Sequence, residues 1–187
     1  MFGIISKLFK SVVKEDPLLE ELKSYYGLEY VESEFPVISG SAYPKVWKGN
    51  INSVQFGIRD LGSYWELTLG EIDSICDLIL EKKDMHSAPQ SEDELSIGSI
   101  LGDDHKLNQK YQLGMICHDN QDFLGPQLKD EYLQKPLMEM SDTPNEVILY
   151  RRGVEVQLNK STLDRSVFDR DLKYASEAAK VLQQRHR

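Results

Sequence analysis

Two short clusters of acidic and imidazole side chains are the residues of this sequence best suited to chemistry. They are Asp103, Asp104 and His105 in the first cluster, and His118 and Asp119 in the second. Carboxylate and imidazole groups bind divalent metals, and a metal-bound water would supply a hydrolase with its nucleophile. Metal ligands have to converge on one point, whereas a predicted strand over 111–117 separates the clusters by roughly 20 Å. Turn-forming aspartates and exposed histidines are therefore the simpler interpretation, and a metal-dependent hydrolase around His105 and His118 is kept as an alternative.

No other catalytic signature occurs in the sequence. A nucleophile elbow, a Walker loop, an HExxH helix and a dinucleotide-binding glycine motif are all absent. Cys76 and Cys117 are far apart and neither has a second cysteine nearby, which argues against a zinc knuckle or a redox pair. We interpret both as reduced and buried, as is typical of a cytoplasmic protein. The sequence thus predicts a protein that is not an enzyme and takes no cofactor.

The charge balance restricts the class of partner. The 187-residue chain has 31 acidic and 22 basic residues, a net charge of −9. Because phosphate contacts need clustered Lys and Arg, this balance argues against binding nucleic acid through a broad basic face. A basic or polar protein partner fits better, since negative charge would steer its approach. With 40% hydrophobic residues the chain is also long and apolar enough to bury a core.

The first fourteen residues, MFGIISKLFKSVVK, have the pattern of an amphipathic helix over 1–15. Apolar side chains occupy one half of the helical circumference and three lysines occupy the other. Those lysines interrupt every apolar run that a secretory signal or a membrane span would need. The segment carries +3, which leaves −12 for the remainder of the chain. The predicted contact residues are Phe2, Ile5, Lys7, Leu8, Phe9, Lys10, Val12 and Lys14.

Three uses of this amphipathic segment stay open at the level of sequence. It can pack on the domain or on a second copy of itself in a homodimer, with its lysines solvated. Residues 2–13 can instead lie on an anionic membrane, which contributes roughly 1 kcal/mol per lysine. The third use is contact with a groove on a protein partner.

The segment 16–84 is predicted to contain a helix, a three-stranded meander and a second helix. Asp16 as N-cap, Pro17 at the first position and Gly27 after the last turn predict a helix over 17–26. Alternation over 43–69 predicts three antiparallel strands, with turns at Gly49–Asn50 and over 60–63. Helical spacing over 70–83, with acids first and lysines last, predicts a helix that covers the sheet.

The segment 97–187 is predicted to follow a polar, acidic loop over 84–96. A strand over 110–117, a helical stretch over 120–140 and a hairpin around Arg152–Gly153 precede a long helix that begins at Ser166. The fold class is therefore α+β: an antiparallel sheet of a meander, a further strand and a C-terminal hairpin, covered by helices. Residues 16–187 form one domain, or two lobes over 16–84 and 97–187.

Three stretches of the sequence resemble a set of uncharacterised bacterial α+β domains of unknown function. They are WKGNINSVQFGIRDLGSYWELTL, GDDHKLNQKYQLGMICHD and NEVILYRRGVEVQLNKSTLDRSVFDRDLKYASEAAKVL. The resemblance covers most of the chain after residue 40 and rests on patterned apolar residues. It implies the fold and implies no catalytic residues.

Aromatic side chains on the meander are the second predicted contact surface. Tyr64 and Trp65 are neighbours on a strand, so that one faces the core when the other faces outward. Exposed Tyr and Trp supply binding hot spots, although a covering helix is the simpler alternative. The predicted function is a non-enzymatic, acidic, cytoplasmic protein that binds a protein partner, chaperone-like or inhibitor-like. Its alternatives are the hydrolase and a peripheral membrane protein held by residues 2–13.

Overall fold

The computed structural model describes residues 16–31, 45–72, 78–83, 96–114 and 128–185, in which eight strands form one antiparallel sheet. The strands are β1 (Glu29–Val31), β2 (Val46–Ile51), β3 (Val54–Asp60), β4 (Tyr64–Glu71), β5 (Leu78–Lys82), β6 (Tyr111–Leu113), β7 (Pro144–Leu149) and β8 (Arg152–Asn159). The helices are α1 (Pro17–Tyr26), α2 (Ile97–Leu101), α3 (Lys106–Lys110), α4 (Glu131–Glu139) and α5 (Arg165–Arg185). The predicted α+β fold with an antiparallel sheet is confirmed. The amphipathic segment 1–15 and nearly all of the predicted loop over 84–96 lie outside the described residues.

The strand order is not the chain order. Across the sheet the strands run β1-β2-β3-β4-β8-β7-β5-β6. The meander supplies β2, β3 and β4, and the C-terminal hairpin of β7 and β8 continues the sheet beside β4. Strand β5 then pairs with β7 on one side and with β6 on the other. Strands β8 and β7 from 97–187 therefore lie between β4 and β5 from 16–84, within one sheet.

One face of the sheet forms the core. Alternate residues of β3, β4 and β8 are buried on this face, as the period-two pattern predicts. They are Val54, Phe56, Ile58, Trp65, Leu67, Leu69, Val154, Val156 and Leu158. Helix α5 packs on β8, β4 and β3, and α4 packs on α5. The rings of Trp65 and Phe168 meet edge-on, with centroids 6.1 Å apart, so the long C-terminal helix is the main cover of this face.

Helix α1 covers the same face at the β2 end of the sheet. It follows the predicted bounds, with Asp16 accepting from Leu18 N and Gly27 in the left-handed conformation at its end. The ring of Tyr26 lies 5.6 Å from the ring of Phe56. In the ranges that the structure describes, no helix combines the length and the apolar character needed to cross a membrane.

The predicted helix over 70–83 is wrong in its second half. Residues 78–82 form strand β5, and 73–77 lie outside the described residues. Leu78 and Leu80 alternate inward and are fully buried between β6 and β7. Pairing with two neighbours satisfies the backbone on both edges of β5, which outweighs the helical spacing of the isoleucines earlier in the segment. The cover predicted from this segment comes from α5 instead.

The turn predicted at Gly49–Asn50 lies three residues later, at Asn52–Ser53. Both turn residues have positive φ, 50° and 68°, which is the conformation of a two-residue hairpin loop. Gly49 lies inside β2, where the side chains of Leu28 and Phe56 pack directly against its backbone. A Cβ at this position would lie 2.6 Å from Leu28 Cδ2 and 2.9 Å from the Phe56 ring.

Three smaller boundaries also move. The hairpin is confirmed, but its connection lies at Tyr150–Arg151, and Arg152–Gly153 begin β8. Helix α5 begins at Arg165 because Asp164 caps it, accepting from Val167 N at 2.9 Å, in place of the predicted Ser166. The helical stretch over 120–140 is described from residue 128 onwards, and α4 contains Pro136 without ending there.

The contact between α5 and the sheet predicts the cost of emptying it. Phe168→Ala should lower the free energy of unfolding by about 3–5 kcal/mol, because it removes a fully buried ring from between Trp65 and Tyr26. Urea denaturation followed by circular dichroism measures this. Tyr132→Ala is the control, since Tyr132 is 80% exposed and its loss should cost less than about 0.5 kcal/mol. A similar loss in both variants would contradict this assignment of the core.

Candidate functional site

The predicted metal site is described at one of its two ends. His105 is the N-cap of α3, and its Nδ1 accepts from Leu107 N at 3.2 Å. Asp103 accepts through its backbone oxygen from the Asn108 amide at 3.0 Å. His118 and Asp119 lie outside the described residues. In the described ranges no three His, Cys, Asp or Glu residues are placed to hold a metal, and the capping bond accounts for His105.

Of the predicted contact residues, the structure describes Tyr64 and Trp65. Phe2, Lys14 and the contact residues between them lie outside the described residues. Trp65 is fully buried in the core, so the prediction that it touches a partner is wrong, while Tyr64 is half-buried. Alternation along β4 explains this difference, because β4 turns Trp65 towards α5.

Two exposed aromatic residues lie near the β1 edge of the sheet, and a third, Tyr132, lies on α4. Tyr25 is 68% exposed and Tyr30 is 49% exposed. The guanidinium of Arg165 lies 3.9 Å from the centre of the Tyr25 ring, and Lys23 Nζ lies 3.7 Å from the centre of the Trp47 ring. Cations of the protein itself already lie over the rings of Tyr25 and Trp47. These two rings therefore make cation–π contacts within the chain.

The face of the sheet opposite to α1 and α5 carries a row of polar side chains. The row crosses the neighbouring strands β3, β4, β8, β7, β5 and β6, and cross-strand pairing places one polar residue of each strand in line. In spatial order the row is Arg59, Glu66, Gln157, Glu146, Glu81 and Gln112. Glu155 lies on the same face, two residues before Gln157. We call Glu66, Glu81, Glu146 and Glu155 the carboxylate face.

Hydrogen bonds along the row hold these carboxylates in place. Arg59 Nη1 lies 3.1 Å from Glu66 Oε1, and Gln112 Nε2 donates to Glu81 Oε2 at 3.1 Å. Gln157 Nε2 donates to Glu146 in the same way. Neutral amides thus bind two of the carboxylates, and they orient these groups without cancelling their charge.

The electrostatics of the face are unfavourable to its own ionisation. Burial, and then the charge of Glu66, raise the pKa of Glu155 to about 7, although the Tyr150 hydroxyl donates to it at 3.1 Å. Burial also raises the pKa of Glu66. Burial and then the charge of Glu81 raise the pKa of Glu146. Arg59 lowers the pKa of Glu66 and of Glu155 in part, and a further positive charge beside these carboxylates would favour their ionised forms.

A basic cleft on the helix side of the sheet is the second feature of the structure. It has a volume of about 610 Å³ and lies at the β6 edge. Its charged lining residues are Lys82, Lys83, Lys106, Lys110, Asp142 and Arg170. These residues come from four parts of the chain, so no local cluster of lysines marks the cleft in the sequence. We call it the lysine cleft.

The raised pKa of Glu155 predicts a pH-dependent stability. A carboxyl group with a raised folded-state pKa stabilises the fold when protonated, and that contribution is lost as pH rises from about 4.5 to about 7. Glu155→Gln should therefore be more stable than the wild type at about pH 8, by on the order of 1–2 kcal/mol, and closely similar at about pH 5. Thermal denaturation at both pH values measures this.

The matched control for Glu155→Gln is Glu177→Gln, on the helix α5 and away from the carboxylate face. It removes the same charge and should change stability equally at both pH values. An equal pH dependence in the wild type and in Glu155→Gln would contradict the assignment of the titration to Glu155.

Comparison with known proteins adds the fold and no function. No protein-family model matches the chain, and no curated protein matches it. Among solved structures, the crystal structure of the mycobacterial trehalose monomycolate transport factor A, TtfA, is similar, with a TM-score of 0.58 and 17% sequence identity. The similarity covers 89% of this chain and 93% of that chain. At this identity it shows a shared fold alone, which fits the resemblance to α+β domains of unknown function.

Proposed function

We propose that this protein is a non-enzymatic binding protein whose carboxylate face takes a basic segment of a protein partner. The observation that carries the proposal is the crowding of half-buried carboxylates on that face, which raises the pKa of Glu155 to about 7. A lysine or arginine of a partner would relieve this crowding. The role is that of a cytoplasmic chaperone or inhibitor, which holds its partner without chemical change.

The dimensions of the face suit a peptide segment. Strands in a sheet are about 4.8 Å apart, so the row from Arg59 on β3 to Gln112 on β6 is about 24 Å long. An extended segment rises about 3.3 Å per residue, so roughly seven residues would follow the row. Arginine suits such a site because its guanidinium binds a carboxylate through two parallel hydrogen bonds. The net charge of −9 would add long-range attraction.

A labelled nona-arginine peptide is the probe for this proposal. Its dissociation constant, measured by fluorescence anisotropy, should rise about tenfold in the triple variant Glu66→Gln, Glu146→Gln and Glu155→Gln, because three interacting carboxylates are lost. The matched control is Glu20→Gln, Glu131→Gln and Glu177→Gln, which makes the same charge change on helices. Equal weakening in both triple variants would assign binding to net charge and contradict the proposal.

Proton release supplies a second measurement of the same binding event. A cation bound beside Glu155 lowers its pKa, so the protein should release protons when it binds the probe near pH 7. Calorimetry in two buffers with different ionisation enthalpies counts these protons. Release should disappear in Glu155→Gln, and unchanged release in that variant would contradict the role of Glu155.

Reversible attachment to an anionic membrane through residues 2–13 is a second candidate function. The charge asymmetry favours it, since residues 1–14 carry +3 and the remainder carries −12. Deletion of residues 1–14 should abolish co-sedimentation with phosphatidylserine vesicles at low salt, and raised salt should weaken the attachment of the full chain. Unchanged sedimentation after the deletion would exclude this function.

A further inference from the structure

We propose that the lysine cleft binds a phosphate group carried by a small organic ligand. The cleft lies on the helix side of the sheet, so it is separate from the carboxylate face and from the function proposed there. Lys82 on β5 and Tyr111 on β6 are cross-strand partners, and both line the cleft. Helix α3, the segment after α4, and Arg170 of α5 complete it.

The charge of the lining has the opposite sign to that of the whole protein. Five cations and one carboxylate line the cleft, in a chain whose net charge is −9. The carboxylate belongs to Asp142, whose side chain is 89% exposed and whose nearest oxygen lies 4.0 Å from Lys110 Nζ. Asp171 and Glu139 also attract Lys110, so the five cations face three carboxylates and the cleft keeps a smaller excess of positive charge.

Backbone carbonyl groups hold four of the cations. Lys82 Nζ donates to Asp142 O at 2.7 Å, and Lys83 Nζ donates to Asn108 O at 3.3 Å. Arg170 Nε donates to Glu139 O at 2.8 Å, and Lys110 Nζ donates to Met140 O. A carbonyl fixes the position of a cation and leaves its net charge in place, and each group has further N–H bonds to offer a ligand. The cations are therefore positioned in advance of binding.

The buried acid beneath the cleft is already engaged. Asp171 is fully buried, and its two oxygens accept from Ser141 N at 2.6 Å and from the Ser141 hydroxyl at 2.7 Å. Burial raises the pKa of Asp171, while burial lowers the pKa of Lys110. A dianion bound in the cleft would reverse the second shift. Through its two hydrogen bonds to Ser141, Asp171 fixes the position of the segment that lines the cleft at Ser141 and Asp142.

The Tyr111 hydroxyl is the observation that points to a ligand. Tyr111 lines the cleft, is 1% exposed, and its hydroxyl has no hydrogen-bond partner in the described part of the chain. Burial, and then the charges of Asp171 and Asp142, raise its pKa, so the hydroxyl keeps its proton and acts as a donor. A buried donor without an acceptor costs free energy. The hydroxyl oxygen itself is buried behind the wall of the cleft, so a ligand oxygen becomes its acceptor once the side chains that cover it move aside.

The size and the apolar part of the lining indicate an organic phosphate. A volume of about 610 Å³ falls within the range of small-molecule sites and exceeds that of a phosphate alone. Met138, Met140 and Pro144 supply an apolar wall for the rest of the ligand. One cation satisfies a carboxylate, whereas several cations along one cleft match the two negative charges and several oxygens of a phosphate monoester.

Calorimetry at about 0.05 M salt tests the site with four probes. Phenyl phosphate should bind more tightly than inorganic phosphate, and benzoate should bind least. Dihexanoyl phosphatidic acid distinguishes the source of the phosphate, since tighter binding of this probe than of phenyl phosphate would assign the site to lipid headgroups. Absence of binding by all three phosphate probes at millimolar concentration, or equal binding of benzoate and phenyl phosphate, would overturn the proposal.

Two variants locate the binding in the cleft. Tyr111→Phe should weaken phenyl phosphate about fivefold and leave the melting temperature of the free protein unchanged or higher, because the hydroxyl has no partner without ligand. Lys83→Gln with Lys106→Gln should weaken it about tenfold, whereas the control Lys48→Gln with Lys129→Gln should change it little. A lower melting temperature of Tyr111→Phe with unchanged affinity, or equal weakening in both lysine pairs, would overturn the assignment.

Discussion

Burial of one face of the eight-stranded sheet by α5 is the interaction on which the rest of this structure depends. Phe168 reaches Trp65 at the centre of that face, and the alternating apolar residues of β3, β4 and β8 surround the contact. Burial of this area is the dominant favourable contribution to folding. Because side chains alternate along a strand, a fully apolar inner face obliges the polar residues of the same strands to share the other face.

This alternation brings the glutamates of the carboxylate face close together on the outer face of the sheet. Glu66 of β4 and Glu146 of β7 share a face because β8 lies between their strands and brings Gln157 into line with both. A fold selected only for stability would place amides or lysines at these positions, since like charges on neighbouring strands are destabilising. The cost in stability and the proposed function therefore have the same origin, in the raised pKa values of Glu66, Glu146 and Glu155.

The two proposed sites carry opposite charges on opposite sides of one sheet. The net charge of −9 describes the long-range field, which would steer the proposed basic partner. It does not reveal the local excess of lysine at the β6 edge. Backbone carbonyls allow this excess, because they position Lys82, Lys110 and Arg170 without neutralising them. An acidic protein can in this way keep a site for an anion.

Local pattern in the sequence determined α1, the meander, the C-terminal hairpin and the existence of α5, because caps, alternation and helical spacing act between residues close in the chain. It also predicted that Trp65 and Tyr64 face opposite ways. Tertiary structure decided the rest: β5 is a strand because β6 and β7 flank it, and the strand order follows from pairing between distant segments. Both candidate sites belong to this second group. The row from Arg59 to Gln112 and the lysine cleft exist only where separate segments meet. Turns set the register within the hairpins β3–β4 and β7–β8, but nothing local in the sequence sets the pairings of β4 with β8, β5 with β7 and β5 with β6.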